Sequence, residues 1–104
     1  MAISQINGGI CGFTTKVTST DEGGKIKLSI ETDCPNVKKL AEELTEVDPF
    51  NEVFKRATST KTYELASKHL PHPACIVPCG ILKAVEIEAN LALPKDASVQ
   101  VNKS

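Results

Sequence analysis

The sequence predicts a two-layer α+β domain, in which a small, mainly antiparallel three-stranded sheet is covered on one face by about four helices. Three observations indicate this fold class. Two segments near the N-terminus alternate apolar and polar residues around a glycine turn, four later segments carry apolar residues at helical spacing, and a last alternating segment follows at 97–101. The predicted sheet therefore consists of a β-hairpin and one C-terminal strand.

The two strands of the hairpin are predicted at 10–17 and 25–33. A turn centred on residues 22–23 pairs Cys11 directly with Cys34 across the hairpin. A shift of the register by two residues would make the two cysteines diagonal neighbours. In either register we expect both cysteines on the side of the hairpin that faces the core.

Each predicted helix begins at a residue that favours a helix start. Pro35 lies in the first turn of the first helix after a cap at Asp33 or Cys34, Asp48 caps the second and Thr60 caps the third. The fourth segment is the most apolar and is predicted to be the central helix. The four helices are expected at about 35–47, 49–57, 61–70 and 78–91.

The length and charge of the chain restrict its class. Its 104 residues predict one domain spanning 1–104. Twelve basic residues against 13 acidic ones give a net charge of -1, so binding to nucleic acid or to an anionic membrane is not expected. The chain shows no apolar run of membrane-spanning length, and residues 1–7 lack the features of a secretion signal. We therefore predict a cytoplasmic protein.

Four cysteines and one histidine are the candidate metal ligands. Cys11, Cys34, Cys75 and Cys79 follow the spacing C-x22-C-x40-C-x3-C, which is not a common zinc or iron–sulfur signature. Their predicted positions nevertheless favour convergence, because the hairpin joins the first two and three of the four lie at helix starts, where the helix dipole stabilises thiolates. Such a set suits Zn(II) or an iron–sulfur cluster. His72 lies in the loop before Cys75 and could replace one thiolate, but a histidine between two prolines is more often exposed and without a role in a site.

Two other interpretations of the thiols stay open. Cysteine is among the most buried residue types, so the thiols could pack in the core of a structural or interaction module. A redox pair formed by Cys75 and Cys79 is disfavoured, because redox pairs usually follow the spacing C-x-x-C. The carboxylates lie on lysine-rich helix faces typical of solvated surface. No catalytic residue is assigned, and the sequence does not decide whether the protein is an enzyme.

Four motifs carry a resemblance to a known group of proteins. They are Gly9-Ile10-Cys11-Gly12-Phe13, Asp33-Cys34-Pro35-Asn36, His72-Pro73-Ala74-Cys75 with Pro78, and Leu91-Ala92-Leu93-Pro94-Lys95-Asp96. Together they resemble a family of small uncharacterised cysteine-containing proteins from anaerobic archaea and bacteria, over nearly the whole chain. The resemblance implies no activity and no catalytic residue. It matches Cys11, Cys34 and Cys75, whereas relatives are expected to carry a small residue such as serine in place of Cys79.

Self-association is the last expectation. A three-stranded sheet leaves strand edges and one face available for contact, so the sequence predicts a homo-oligomer. No other protein partner is predicted.

Overall fold

The computed structural model describes residues 1–103, which form a four-stranded antiparallel sheet and four α-helices. The strands are β1 Ala2–Asn7, β2 Thr14–Glu22, β3 Lys25–Thr32 and β4 Glu46–Val47. The helices are α1 Pro35–Glu43, α2 Pro49–Val53, α3 Lys61–His69 and α4 Val77–Glu88. The order of the strands in the sheet is β1-β2-β3-β4.

The α+β class, the antiparallel sheet and the four helices are confirmed, but the number of strands was predicted wrongly. Residues 97–101 form no strand, while β1 and β4 were not predicted. The alternation of apolar and polar residues in β1 is weak, because its inward side carries a polar residue, Ser4, beside the buried Ile6. The hydroxyl of Ser4 donates to the carbonyl of Gly80 at 2.8 Å, so this polar group is satisfied within the fold.

The hairpin is β2–β3, and its register differs from the predicted one by two residues. Thr15 pairs with Thr32, and Glu22 pairs with Lys25 across the turn. The two turn residues, 23 and 24, are both glycines with positive φ angles of 65° and 91°. A type I′ turn requires positive φ at both central positions, so the glycine pair sets the register.

The predicted helix starts are largely confirmed. Cys34 is the N-cap of α1, and Asp48 and Thr60 accept hydrogen bonds from backbone N–H groups as caps of α2 and α3. The predicted ends were too late for α1, α2 and α4. The last helical residue of α4 is Glu88, and Asn90 takes a left-handed conformation with φ 61°, which ends the helix.

The core lies between the sheet and the helices that contact it. α4 contacts β1 and β2, and α1 contacts β3. The pattern of α4 predicts an apolar stripe of Leu82, Val85 and Ala89 with Ile81 and Ala92 beside it. The fully buried face consists of Ile81, Ala84 and Val85, so Ile81 and Val85 are placed correctly and Ala84 was missed. A hydrogen bond from the hydroxyl of Ser19 to the carbonyl of Ala84, 2.9 Å long, also joins α4 to the sheet. The sheet therefore holds α4 by apolar packing and by serine hydroxyls.

The aromatic residues of α2 also differ from the prediction. Phe50 and Phe54 were expected on an apolar stripe, but they are 60% and 66% exposed and stack on each other with ring centroids 6.0 Å apart. The buried residues of α2 are instead Pro49 and Glu52. None of the helices within residues 1–103 is both long enough and apolar enough to cross a membrane.

Candidate functional site

All four cysteines lie at one end of the sheet, which we call the cysteine end. It is the end formed by the last residue of β1, Asn7, and its partner Thr14 at the start of β2. The loop that joins these two strands carries Cys11. The backbone N–H of Thr14 donates to the side chain of Asp33 at 2.9 Å, so the chain enters α1 at Cys34 beside the same strand end.

The direction of α4 brings the other two cysteines to this end. Gly80, in the first turns of α4, lies against Ile6 near the end of β1. At the other end of the helix, Glu88 forms an ion pair with the amino group of Met1 at 3.3 Å. α4 therefore runs antiparallel to β1 and begins at the cysteine end. Cys75 precedes this helix start and Cys79 lies in its first turn.

The loop that carries Cys11 is closely shaped around its side chain. The backbone N–H of Gly8 donates to the carbonyl of Phe13 at 3.0 Å, and that of Gly12 donates to Gly9 at 3.0 Å. A Cβ atom at position 8 would lie 2.5 Å from the sulfur of Cys11. The thiol thus lies in space that the missing side chain of Gly8 leaves free, although Cys11 is solvent-exposed and lies outside β2. Because Cys11 lies in the loop before β2, the predicted direct pairing of Cys11 with Cys34 across the hairpin is wrong.

The four thiols divide into two classes. Cys34 and Cys75 are half-buried and pack against the hydrophobic core, as the core-thiol interpretation predicts. Cys11 and Cys79 are exposed, so that interpretation does not extend to them. Burial raises the pKa of Tyr63, and the negative charge of the Cys79 thiolate adds to this increase. α3 therefore brings Tyr63 close to the start of α4.

A shared end does not by itself make a metal site. Among residues 1–103, no group of three or more His, Cys, Asp and Glu side chains is arranged so that it could hold a metal ion. All four cysteines are free thiols. His72 is exposed, and its carbonyl accepts a hydrogen bond from the N–H of Cys75 at 3.1 Å. As positioned, these residues do not fit a zinc ion or an iron–sulfur cluster, and their predicted role as ligands stays a prediction.

Three apolar side chains are exposed at the cysteine end, which the sequence pattern did not predict. Ile10 is 99% exposed, Ile76 at the start of α4 is 41% exposed, and Phe13 is 36% exposed. The sequence pattern had placed Phe13 on a core-facing strand, because the alternation from 10 to 17 runs through the loop without a break. In the sequence, Ile10 and Phe13 lie on either side of Cys11, and Ile76 precedes Cys79 by three residues. This end is therefore both apolar and thiol-bearing.

A cleft opens beside these groups on the sheet. Its volume is about 680 Å³, and β1, β2 and β3 line it with polar side chains that include Gln5, Asn7, Lys16, Glu31 and Asp33. Its wall carries one basic and two acidic groups, together with amides and threonine hydroxyls. The cleft therefore gives the cysteine end a polar border.

Two carboxylates outside the cysteine end have lowered pKa values, because groups on other elements of the fold donate hydrogen bonds to them. Hydrogen bonds from His69 and Lys68 lower the pKa of Glu43, which lies on the surface of α1. A hydrogen bond from the N–H of Asp21 lowers the pKa of Glu88. These shifts arise from contacts between elements of the fold and lie outside the cysteine end. We assign no catalytic residue to them.

The comparisons with known proteins give one match. Residues 2–101 match the model of a family of unknown function, DUF6951. No curated protein and no solved structure matches the chain. The match covers β1, the cysteine end and most of the C-terminal tail, and it agrees with the resemblance to an uncharacterised family that the motifs indicated.

Proposed function

We propose that this chain, which belongs to the family of unknown function DUF6951, is a protein-binding module that contacts its partner with the cysteine end. The observation that carries the proposal is the exposure of Ile10, Phe13 and Ile76 beside the exposed thiols of Cys11 and Cys79. Exposed apolar groups with a polar border are typical of contact surfaces between proteins. The partner is expected to present an apolar surface of its own.

The state of the other thiols supports a binding role. Cys34 and Cys75 pack against the core, where they act as small apolar side chains. Glu52, the one buried carboxylate among residues 1–103, accepts hydrogen bonds from the backbone at the start of α3 and thereby has a structural role. The fold thus uses these groups for its own stability and leaves the exposed loop and helix start for contact.

Site-specific photo-crosslinking tests the proposal. A photoreactive residue in place of Ile10 should give a discrete adduct in extract of the native host, and purified partner should bind about tenfold or more weakly when Phe13 is changed to Glu. Position 54 is the matched control, because Phe54 is also apolar and exposed but lies at the C-terminal end of α2. Adducts of equal yield from positions 10 and 54, or a Phe13→Glu variant that binds the purified partner normally, would contradict the proposal.

A second candidate function is binding of a soft metal ion or an iron–sulfur cluster. The observation that favours it is the placement of four free thiols at one end of the sheet, with Cys34 and Cys79 at helix starts. Because the side chains do not form a ligand set as positioned, binding would have to move the loop of Cys11 and the segment of Cys75 toward each other. Thiolate ligands suit Zn(II) and iron–sulfur clusters.

Metal analysis of anaerobically purified protein tests this second candidate. If it is correct, we expect about one equivalent of Zn or Fe and a marked fall of Tm on addition of a chelator. A broad visible absorption band would select iron–sulfur over zinc. The variants Cys11→Ser, Cys34→Ser and Cys75→Ser should each lose the metal, whereas Lys95→Ser should keep it. Metal content far below one equivalent, together with a Tm that the chelator leaves unchanged, would contradict this second candidate function.

A further inference from the structure

The C-terminal tail is a strand-like segment without a partner. Residues 97–101 alternate small or polar residues with two valines, and Val99 and Val101 are 79% and 86% exposed. Among the described residues, no hydrogen bond joins the backbone of 92–103 to any other part of the chain. The family match extends to residue 101, so the tail is part of the matched domain. Exposed valines in an extended segment favour pairing with a sheet edge.

The sheet offers an edge of suitable length. β1 is an outer strand that pairs only with β2, and its six residues span about 20 Å. The five residues 97–101 would span about 17 Å when extended. The side chains also fit on either face, since a strand beside β1 places its valines next to Ile6 on the helix side or next to Ile3 on the other side.

The position of the tail disfavours antiparallel pairing with its own β1. α4 ends beside Met1, at the start of β1, because Glu88 forms an ion pair with the amino group of that residue. The turn after α4 is held by a hydrogen bond from the N–H of Leu91 to the carbonyl of Glu86, 2.8 Å long. The connection over residues 92–97 spans at most about 18 Å. To pair the tail antiparallel with β1 of the same copy, this connection would have to run nearly fully extended toward the end of β1 before the chain turned back.

A second copy has no such restriction. Antiparallel pairs are somewhat more stable per residue than parallel pairs, and the tail of another molecule can approach β1 from either end. The overall dimensions agree with a projecting tail, because the longest is 46 Å while the nine residues of β2 span only about 30 Å.

We propose that residues 97–101 of one copy pair antiparallel with β1 of a second copy, and that the second copy does the same in return. This exchange gives a symmetric dimer in which each copy supplies one tail and receives one. It completes each sheet with a fifth strand and shields the valines and the edge of β1 from water. The exchange uses the backbone edge of β1, which meets the cysteine end at Asn7, and it does not require the exposed side chains of Ile10, Phe13 and Ile76.

Isotope-coded cross-linking of the full chain tests which copy supplies the tail. A photoreactive residue replaces Gln100, unlabelled and ¹⁵N-labelled proteins are mixed and refolded together, and cross-linked peptides are identified by mass spectrometry. The expected result is a cross-link between the tail and β1 in which one peptide is labelled and the other is not. Cross-links to β1 only within like-labelled pairs, or cross-links that avoid β1, would overturn the proposal.

Sedimentation of two proline variants provides the second measurement. Val99→Pro removes a backbone N–H from the predicted strand, so the dissociation constant of the dimer should rise by about tenfold or more. Lys103→Pro places the same residue just beyond the strand and should leave dimerisation unchanged. Because the tail lies outside the core, both variants are expected to keep the circular dichroism spectrum of the parent. A monomeric parent protein, or equal behaviour of the two variants, would contradict the proposal.

Discussion

Replacement of Glu52 by alanine is expected to lower the free energy of unfolding by about 3–4 kcal/mol. Glu52 is only 4% exposed, and its carboxylate accepts hydrogen bonds from the N–H of Lys61 at 2.8 Å and of Thr62 at 3.1 Å. The hydroxyl of Thr62 donates to the same carboxylate at 2.8 Å. Alanine would leave these donors without an acceptor at the start of α3, in a buried site. Urea denaturation near neutral pH measures the loss.

A matched control lies in the helix whose start Glu52 contacts. Glu64 belongs to the first turn of α3 but is exposed, so Glu64→Ala removes an acidic residue with little change in hydrogen bonding. We expect it to cost no more than about 1 kcal/mol, mainly from the helix dipole. Equal losses from the two substitutions would show that the bonds of Glu52 are not the cause. A loss of about 3–4 kcal/mol is a large part of the stability of a small domain.

Replacement of Gly80 by valine is expected to destabilise the protein by about 3 kcal/mol, because it overpacks the contact between α4 and β1. A Cβ at this position would lie 2.6 Å from Cγ1 of Ile6 and would also collide with its Cδ1. Ile6 is 6% exposed and has little space into which it can move. The missing side chain of Gly80 therefore allows the close approach that seats the start of α4 on the sheet.

A double-mutant cycle separates this contact from any effect of valine on the helix. Ile6→Ala alone should cost about 2–4 kcal/mol through the cavity it leaves. The double variant with Gly80→Val should cost less than the sum, because the valine fills part of that cavity. Cys79→Val is the control, since position 79 is exposed in the same turn, and it should be nearly neutral. Additive losses in the cycle, or an equal loss from Cys79→Val, would be inconsistent with the contact.

The starts of the helices were predictable because their signals are local. Asp48 and Thr60 accept hydrogen bonds from N–H groups two or three residues ahead, so the cap and its partners lie within one turn. The turn of the hairpin is similar, since two adjacent glycines with positive φ suffice to form it. The register was predicted two residues away because the turn was centred on residues 22–23 instead of 23–24.

The candidate site was predictable only in part. The sequence predicted that Cys11, Cys34 and Cys75 converge, and the structure places their segments at one end of the fold but forms no group of three ligands among residues 1–103. It did not reveal that Cys11 leaves the strand, because the alternation continues through the glycine loop. Nor did it distinguish core-packed thiols from exposed ones. Exposure depends on which side chains of distant elements cover each sulfur.

The sequence by itself determined the α+β class, the four helix starts and the β2–β3 hairpin, because caps, prolines and paired glycines act on neighbouring backbone groups. Only the tertiary structure decided that residues 2–7 form an edge strand while 97–101 stay unpaired. A strand has no hydrogen-bonding partner within itself, so its formation depends on an edge supplied by a distant segment. Ser4 illustrates this dependence, since its hydroxyl becomes acceptable on the inward side only when α4 brings the carbonyl of Gly80 within 2.8 Å.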